Sequence, residues 1–348
     1  MAAAMRLSRW HTGQTETNPS VAAVLVKDGA IVGAAVTAPG GRPHAESQAL
    51  AMAGEKARGA TLYVTLEPCS HHGRTPPCAD ATVAAGVARV VVGLTDPDPR
   101  VSGCGLAILR DAGIEVESGV LEEEGRQVLR AYLMRQTRGR PYVTLKLAVS
   151  ADGMIGRKGN GQVAITGPAA RAQVHVLRAE TDAILVGIGT ALADDPELTV
   201  RLPGLEGRSP VRIVLDRGLD LPPTSKLAST ARHVPVLNVT ISPSGPQRQE
   251  QLQEAGVEVL EAENLHTLLN ALAARGLSSL LVEGGAGVAR NFLDAGLVDR
   301  ILLFESDVVI GEAGIESPVV HSDIPDGFSL VRSGTFATDR YYEYERSS

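Results

Sequence analysis

Two short stretches decide the fold, PHAESQAL at residues 43–50 and TLEPCSHHGRTPPCADA at residues 65–81. They contain His44, Cys69 and Cys78, whose side chains are borderline or soft metal ligands, and a carboxylate, Glu46, two residues beyond the histidine. The whole chain of 348 residues has only three cysteines, yet each of these two directly follows a proline. Zinc in a hydrolytic site takes three nitrogen or sulfur ligands from the protein and keeps a fourth position for water. We therefore predict that His44, Cys69 and Cys78 bind Zn²⁺.

Glu46 distinguishes a catalytic zinc site from a structural one. Residues two apart in a helix interior do not face each other, so we predict that His44 lies in the first turn of a helix and that both side chains reach one cavity. Glu46 is then placed to accept a proton from a metal-bound water and deliver it to a leaving group. The alternative is a structural zinc site, in which His71 or His72 completes the coordination and Glu46 has no role.

The sequence around these residues alternates between strand and helix patterns. SVAAVLVKDGAIVGAAV, residues 20–36, predicts a hairpin at Asp28-Gly29, because this dipeptide accepts a tight primed turn. VARVVVGLTD, residues 87–96, is nearly continuously apolar, as expected of a buried strand. Alternation of this kind predicts an α/β fold with a mostly parallel sheet and helices on its faces.

The chain is longer than one hydrophobic core usually organises, so we predict two domains. A new strand follows a basic joint in RGRPYVTLKLAVSADG, residues 138–153, which places the boundary near Gly139 and the domains at 1–139 and 140–348. In the second domain we predict a strand over RILLFESDVVIG, residues 300–311, among others. The predicted helices there are Ala169–Glu180, Gln247–Ala255, Leu265–Arg275 and Gly287–Ala295.

Composition narrows the partners and the compartment. The net charge of −7 argues against a general polyanion binder. Three cysteines cannot all pair, and two have a better explanation than a disulfide, so a reducing compartment is favoured. The first residues, MAAAMRLSRWHTGQ, lack the apolar run of a secretion signal, and no stretch is apolar enough to span a bilayer. We predict a cytoplasmic protein that binds neither nucleic acid nor membrane.

His-x-Glu followed by Pro-Cys and a second cysteine is the signature of zinc-dependent nucleobase deaminases, which usually have two residues between the cysteines. Here the spacer has eight residues, SHHGRTPP. With this spacer the sequence resembles the bifunctional riboflavin-biosynthesis deaminase/reductase family. The resemblance covers nearly the whole chain, because NPSVAAVLVKDG, LKLAVSADG, LRAETDAILVGIGTALADDPELTVR and VEGG also match in order.

The resemblance implies an N-terminal, cytidine-deaminase-like three-layer domain and a C-terminal, dihydrofolate-reductase-like domain. The first would remove the exocyclic amine of 2,5-diamino-6-(5-phosphoribosylamino)pyrimidin-4-one by zinc-dependent hydrolysis. The second would reduce the ribosyl side chain of the product to ribityl with NADPH. A homo-oligomer that pairs through its reductase domains is also implied.

Site residues carry over from the family position by position. The implied substrate contacts are Asn18, His71, Arg74, Gln162, Arg178, Leu198, Arg201 and Glu283. The implied cofactor contacts are Val149, Ala164, Thr190, Asp194, Gly285, Ala286, Gly287, Val288, Ala289, Arg290 and Asn291. Glycines and helix amides at residues 284–291 would suit a dinucleotide phosphate, and Arg178 and Arg201 would grip phosphate as forked donors. The residues at Thr37, Val149, Gln162 and Ala164 differ from those common in the family.

Two other functions stay open on the sequence. A deaminase of free bases or tRNA is disfavoured by the acidic charge and by the second domain. A binding protein with a structural zinc knot and an inactive nucleotide-binding domain would need a closed zinc site. The pattern also leaves Lys146 undecided between a buried, functional lysine and an outward-facing strand residue.

Overall fold

A computed structural model describes residues 1–71, 76–98, 102–159, 161–241 and 245–347. The chain divides into two units, Met1–Arg140 and Pro141–Ser348, which are called here the N-terminal unit and the C-terminal unit. None of the helices in the described ranges has the length and hydropathy that a bilayer crossing requires.

The N-terminal unit has five strands and five α-helices within its described residues. The strands are β1 (Ala22–Lys27), β2 (Ala30–Val36), β3 (Thr61–Leu66), β4 (Arg89–Leu94) and β5 (Glu115–Ser118). The helices are α1 (Ala2–Leu7), α2 (Ala45–Ala53), α3 (Cys78–Ala84), α4 (Cys104–Asp111) and α5 (Glu122–Arg138). The predicted hairpin is confirmed, since β1 and β2 pair antiparallel around Asp28 and Gly29, whose φ values of 51° and 77° fit a primed turn.

The sheet of this unit has the order β2-β1-β3-β4-β5. β3, β4 and β5 are parallel, so the carboxyl ends of β3 and β4 lie side by side, with Leu66 opposite Leu94. The apolar core includes the fully buried side chains of Leu25, Leu62 and Leu109. The segments that follow β3 and β4 therefore meet at one edge of the sheet.

The C-terminal unit is built on a sheet of nine strands with the order β11-β10-β9-β8-β12-β6-β13-β16-β15. The strands of the unit are β6 (Tyr142–Val149), β7 (Met154–Arg157), β8 (Ala183–Gly187), β9 (Val211–Leu215), β10 (Val236–Thr240), β11 (Glu258–Glu261), β12 (Ser279–Glu283), β13 (Arg300–Glu305), β14 (Gly314–Glu316), β15 (Phe328–Phe336) and β16 (Asp339–Arg346). Of these, β7 and β14 form a separate two-stranded sheet. The helices are α6 (Pro168–Ala179), α7 (Ile188–Asp194), α8 (Lys226–Ser229), α9 (Pro246–Ala255), α10 (Leu265–Ala274) and α11 (Ala286–Asp294).

Seven neighbouring strands of this sheet, from β11 to β13, are parallel, and β16 and β15 complete it antiparallel. Apolar clusters cover both faces, as expected for buried parallel strands. β12 and β6 lie next to each other in the middle, and Glu283, the last residue of β12, is opposite Lys146 in the middle of β6. Ligand sites of open α/β sheets lie outside the carboxyl ends of the strands.

Several predicted elements need correction. The strand predicted over residues 300–311 ends at Glu305, because the Asp152 carboxylate accepts the amides of Ile310 and Gly311 at 3.1 and 2.8 Å and draws the chain into a loop. Each of the four predicted helices begins and ends within about one residue of its predicted bounds. The sequence analysis missed helix α7 and the β15–β16 hairpin.

Candidate active sites

The three predicted zinc ligands lie together in the N-terminal unit. One ligand atom from each of His44, Cys69 and Cys78 lies within 4.8 Å of the others. His44 Nδ1 is 3.7 Å from Cys69 Sγ and 3.4 Å from Cys78 Sγ. With zinc–sulfur bonds of about 2.3 Å and zinc–nitrogen bonds of about 2.0 Å, a tetrahedral angle separates sulfur from nitrogen by about 3.6 Å. The donor set and its spacing therefore fit Zn²⁺.

Local backbone structure explains how these side chains converge. His44 is the N-cap of α2 with extended φ and ψ of −68° and 158°, one residue before the first turn in which it was predicted. This backbone frees its ring from helical geometry, so His44 and Glu46 both line the same cavity. Cys78 begins α3, and its amide donates to Cys69 Sγ at 3.3 Å. The loop after β3 and the start of α3 are thus tied together at the two sulfurs.

The side chains of Cys69 and Cys78 are joined by a hydrogen bond that shifts the pKa values of both. The Cys78 thiol donates to Cys69 and lowers the pKa of Cys69 to about 4. The same interaction, together with burial, raises the pKa of Cys78. Burial also raises the pKa of Glu46 to about 7, although the nearby His44 opposes the shift. A divalent cation would replace the proton between the two sulfurs, because metal ligation requires both thiolates.

Glu67, which the sequence analysis did not select, anchors the loop that carries Cys69. Its side chain is 3% exposed. Its carboxylate accepts four backbone amides, from Asp96 at 3.2 Å, Gly103 and Gly105 at 3.0 Å and Leu106 at 3.3 Å. Glu67 therefore fixes the end of β3 to the end of β4 and to the start of α4.

Two of the three predicted zinc ligands, His44 and Cys69, line a cavity of about 210 Å³. Asn18 and His71, both expected to contact substrate, line it together with Glu46. Arg74 and His72 lie outside the described residues. Within the described residues the ligand group has three members and no fourth side chain. His71, one of the two candidate fourth ligands of a structural site, is not a member of this group.

One wall of this cavity is acidic, and its residues were not predicted from the sequence. Asp96 and Asp98, just after β4, line it with Tyr132. The Tyr132 hydroxyl lies 3.0 Å from both carboxylate oxygens of Asp96 and donates to that carboxylate, and the Asp98 amide donates to Asp96 at 2.9 Å. Burial raises the pKa of Asp96, against the effect of these donors. Asp96 and Asp98 follow the carboxyl end of a parallel strand, and this position could have identified them as site residues from the sequence.

In the C-terminal unit, Arg178 from α6 forms a two-point ion pair with Glu283. The distances are 2.8 Å from Nε to Oε1 and 2.9 Å from Nη2 to Oε2, and both side chains are 11% exposed. The remaining nitrogen, Nη1, donates to the Thr199 carbonyl at 3.1 Å. The fork that we expected to face a phosphate is thus directed at Glu283 in this structure.

Lys146 is half-buried and its ammonium points into the unit, which favours the buried alternative over an outward-facing strand residue. Its ammonium lies 5.8 Å from the centre of the Phe304 ring. Burial lowers the pKa of Lys146, and the charge of Glu283 opposes that shift. For Glu283, burial raises the pKa, but Arg178 and then Lys146 outweigh it and bring the pKa to about 2. Glu283 is therefore charged at neutral pH.

Part of the expected cofactor set meets at the carboxyl ends of β8 and β12. Gly285, with φ of 80°, precedes α11, and a Cβ there would lie 3.1 Å from Thr190 Oγ1. A Cβ on Gly187 would lie 2.7 Å from Val288 Cγ2. This close approach leaves the first amides of α11 accessible beside a glycine turn, which fits a dinucleotide phosphate.

The other expected positions are more scattered. Asp194 ends α7, and burial raises its pKa. Val149, Leu198 and Ala289 direct their side chains into apolar clusters, so only their main chain can contact a ligand. The exposed positions are Gln162, Ala164, Arg201, Gly287, Arg290 and Asn291, and Ala286 is half-buried. Arg201 Nη1 lies 3.1 Å from the Glu197 carboxylate in an exposed ion pair.

Comparison with known proteins gives a family match in each of the two units. Residues 1–94 match the family model of the cytidine and deoxycytidylate deaminase zinc-binding region, and residues 141–339 match the RibD C-terminal domain. The riboflavin biosynthesis protein RibD of Aquifex aeolicus is 44% identical over 90% of this chain and 87% of its own length. RibD of Escherichia coli is 41% identical over 89% of this chain and 88% of its own length.

Solved structures give the same result. RibD of Acinetobacter baumannii superposes with a TM-score of 0.90 at 37% identity, covering 100% of this chain and 98% of its own. A diaminohydroxyphosphoribosylaminopyrimidine deaminase/5-amino-6-(5-phosphoribosylamino)uracil reductase of Thermotoga maritima has a TM-score of 0.87 at 36% identity and covers 99% and 97%. The chain therefore belongs to the RibD family of riboflavin-biosynthesis proteins, in which a zinc-dependent deaminase and an NADPH-dependent reductase are joined.

Proposed function

We propose that residues 1–139 deaminate 2,5-diamino-6-(5-phosphoribosylamino)pyrimidin-4-one and that residues 140–348 reduce the ribosyl group of the product to ribityl. The observation that supports the first step is the burial of Glu46, 3% exposed, in the cavity lined by His44 and Cys69 of the three-ligand group. A carboxylate that lines this cavity beside the ligands is placed for proton transfer.

In the deaminase site, His44, Cys69 and Cys78 would hold the zinc ion. The metal, when bound, supplies a water acidified to near neutral pH and hence a nucleophile. Glu46 accepts a proton in the cavity and returns it to the departing amine, a role that suits a carboxyl with a pKa of about 7. Asn18 and the acidic wall of Asp96 and Asp98 orient the rest of the substrate.

In the reductase site, NADPH when bound supplies the hydride. Thr190 and the turn at Gly285 form its cradle. Glu283, at the end of β12, and Lys146, opposite it on β6, provide an acceptor and a donor of hydrogen bonds for the substrate. Arg201 is the better phosphate ligand of the two arginines, because its partner is an exposed carboxylate whereas Arg178 is engaged by buried groups.

The test is the variant Glu46→Gln with the reaction followed in two separate assays. We expect ammonia release to fall by about 10²–10⁴-fold, because an amide cannot carry the proton. Zinc content and the reduction of substrate deaminated beforehand should remain unchanged. Glu55→Gln, an exposed glutamate next to the same helix, is the matched control. Ammonia release at the wild-type rate in Glu46→Gln would refute the role given to Glu46.

We also propose a homodimer that pairs through the C-terminal unit. β15 is the outermost strand of the nine-stranded sheet, and its Leu330 and Val331 side chains are 50% and 53% exposed. A charged residue should weaken such an edge contact. Light scattering after size-exclusion chromatography should report a dimer for the natural chain and a monomer for Val331→Glu. A monomeric natural chain would contradict this proposal.

We propose the cytoplasm as the compartment. Cys69 and Cys78 must stay reduced to bind a metal, and Cys104 is an exposed free thiol. Reduced thiols of this kind persist in reducing compartments. Fractionation of the host cell should recover the activity with cytoplasmic markers.

A further inference from the structure

Arg212 lies in the middle of the C-terminal sheet, on β9, and its side chain is fully buried. Its Nη1 donates to the Glu197 carbonyl at 3.1 Å and to Thr230 Oγ1 at 2.8 Å. Its Nη2 donates to the Val234 carbonyl. The guanidinium thus connects a central strand to two loops outside the sheet.

The environment of this charge is unfavourable. Within the described residues its hydrogen-bond acceptors are neutral oxygens, and its Nε has no partner. Burial lowers the pKa of Arg212 to about 10, and the charge of Glu197 opposes the shift only partly. An apolar residue on a buried strand would avoid this desolvation cost. The hydrogen bond from Arg212 to the Glu197 carbonyl can explain why an arginine occupies this position.

The Glu197 carbonyl directly precedes a strained turn. Leu198 has φ of 56° and Asp195 has φ of 38°, so two non-glycine residues adopt left-handed backbone within one short loop. Such conformations persist where surrounding contacts over-determine them, and they concentrate at ligand clamps. The peptide that joins Glu197 to Leu198 is the one whose orientation Arg212 sets.

The main chain of each of the next three residues, Thr199 to Arg201, forms a hydrogen bond with a side chain. The Thr199 carbonyl accepts from Arg178 at 3.1 Å, and the Val200 amide donates to Ser209 Oγ at 3.0 Å. The Arg201 amide donates to His175 Nδ1 at 3.3 Å. Fixed main chain on both sides of Leu198 leaves the long side chain of Arg201 as the movable part of the loop.

We propose that Arg212 is a positioning residue for the reductase substrate, because its grip on the Glu197 carbonyl fixes the left-handed turn at Leu198 and thereby aims Arg201 at the substrate phosphate. This inference rests on the proposed function, in which Leu198 and Arg201 contact the phosphoribosyl substrate. Of the expected cofactor contacts, Thr190 and Gly285 lie outside this loop, and Asp194 precedes it as the last residue of α7. The inference therefore separates substrate binding from NADPH binding.

The test uses the full-length protein with substrate deaminated beforehand and NADPH. Arg212→Met should raise the KM for the pyrimidine substrate at least tenfold, while the KM for NADPH changes less than twofold and ammonia release by the other unit is unchanged. Arg212→Lys should recover part of the loss, since it restores a donor to the Glu197 carbonyl. Asn238→Leu is the matched control, because Asn238 is fully buried on the adjacent strand and bonds Asp216, away from the loop. It should leave both KM values unchanged.

An unchanged substrate KM in folded Arg212→Met would overturn the inference, and so would an equal rise in both KM values. If Arg212→Met does not fold, Thr230→Val decides, because it removes one acceptor of the same guanidinium and should raise the substrate KM two- to fivefold. No rise in that variant would equally overturn it. The variant Arg201→Met distinguishes a failure of the proposed function of the loop from a failure of the role proposed for Arg212. If its substrate KM is normal, the proposed function of the loop fails; if it rises while that of Arg212→Met does not, only the role of Arg212 fails.

Discussion

The residues that form the site of each unit are separated by different distances along the sequence. In the N-terminal unit, His44 and Cys78, the outermost zinc ligands, are 34 positions apart and come from two short segments. In the C-terminal unit, Arg178 and Glu283 are 105 positions apart, and Lys146 joins them from a third element. A metal selects its ligands by atom type and spacing, which a sequence displays directly. A buried charge pair depends on which strands become neighbours, which a sequence displays only indirectly.

The two sites also differ in how their charges are balanced. A zinc ion would neutralise the two thiolates of the first site. In the second, the charge of Glu283 is compensated by protein groups, first by Arg178 and then by Lys146. We therefore expect the first site to respond most to metal removal and the second to the loss of a single charged partner.

The largest effect on stability should follow from Glu283→Gln. The change leaves Arg178 and Lys146 buried without their counter-charge, which costs about 3–5 kcal/mol of unfolding free energy. Denaturant unfolding of the full-length protein measures this loss. Because the folded pKa of Glu283, about 2, lies below its ordinary value of 4.5, its stabilisation is present above pH 4.5 and is lost as the pH falls towards 2. The variant should lack this acid dependence.

Glu343→Gln is the control for that prediction. Glu343 pairs with Arg300 at 3.1 Å, with side-chain exposures of 9% and 15%, close to those of the Arg178–Glu283 pair. The variant Glu343→Gln should also destabilise the C-terminal unit, but it should leave the KM for the pyrimidine substrate unchanged. Equal kinetic effects of the two variants would remove the distinction between a site pair and a structural pair.

A smaller effect is expected at Glu67, which anchors the Cys69 loop. Glu67→Gln directs an amide donor at the backbone amides that the carboxylate accepts, so the loop should loosen. Supporting residues of this kind typically change metal affinity by about 10–100-fold. Competition with a chromogenic chelator measures the zinc dissociation constant. Glu115→Gln, an exposed glutamate on β5, should leave it unchanged, and an equally unchanged value for folded Glu67→Gln would rule out the anchoring role.

The smallest effect is expected at the contact between β8 and α11. Gly187 has ordinary φ and ψ of −84° and 158°, so Gly187→Ala introduces only a clash with Val288 Cγ2. Overpacking of this kind costs about 1 kcal/mol, or roughly a fivefold rise in the KM for NADPH if α11 binds the cofactor. The double variant Gly187→Ala, Val288→Ala should restore the KM. A rise that persists in the double variant would place the cause elsewhere.

The sequence by itself determined the zinc ligands, Glu46 and the alternating α/β plan, because metal chemistry and hydrophobic periodicity are local properties. The tertiary structure alone decided that Lys146 is half-buried opposite Glu283, that Arg178 forms an ion pair with Glu283, and that Glu67 and Asp96 line the cavity of the first site. Each of these depends on contacts between segments remote in sequence, where the register of parallel strands selects the partner. Residue type states what a side chain can bind, and only packing states what lies within its reach.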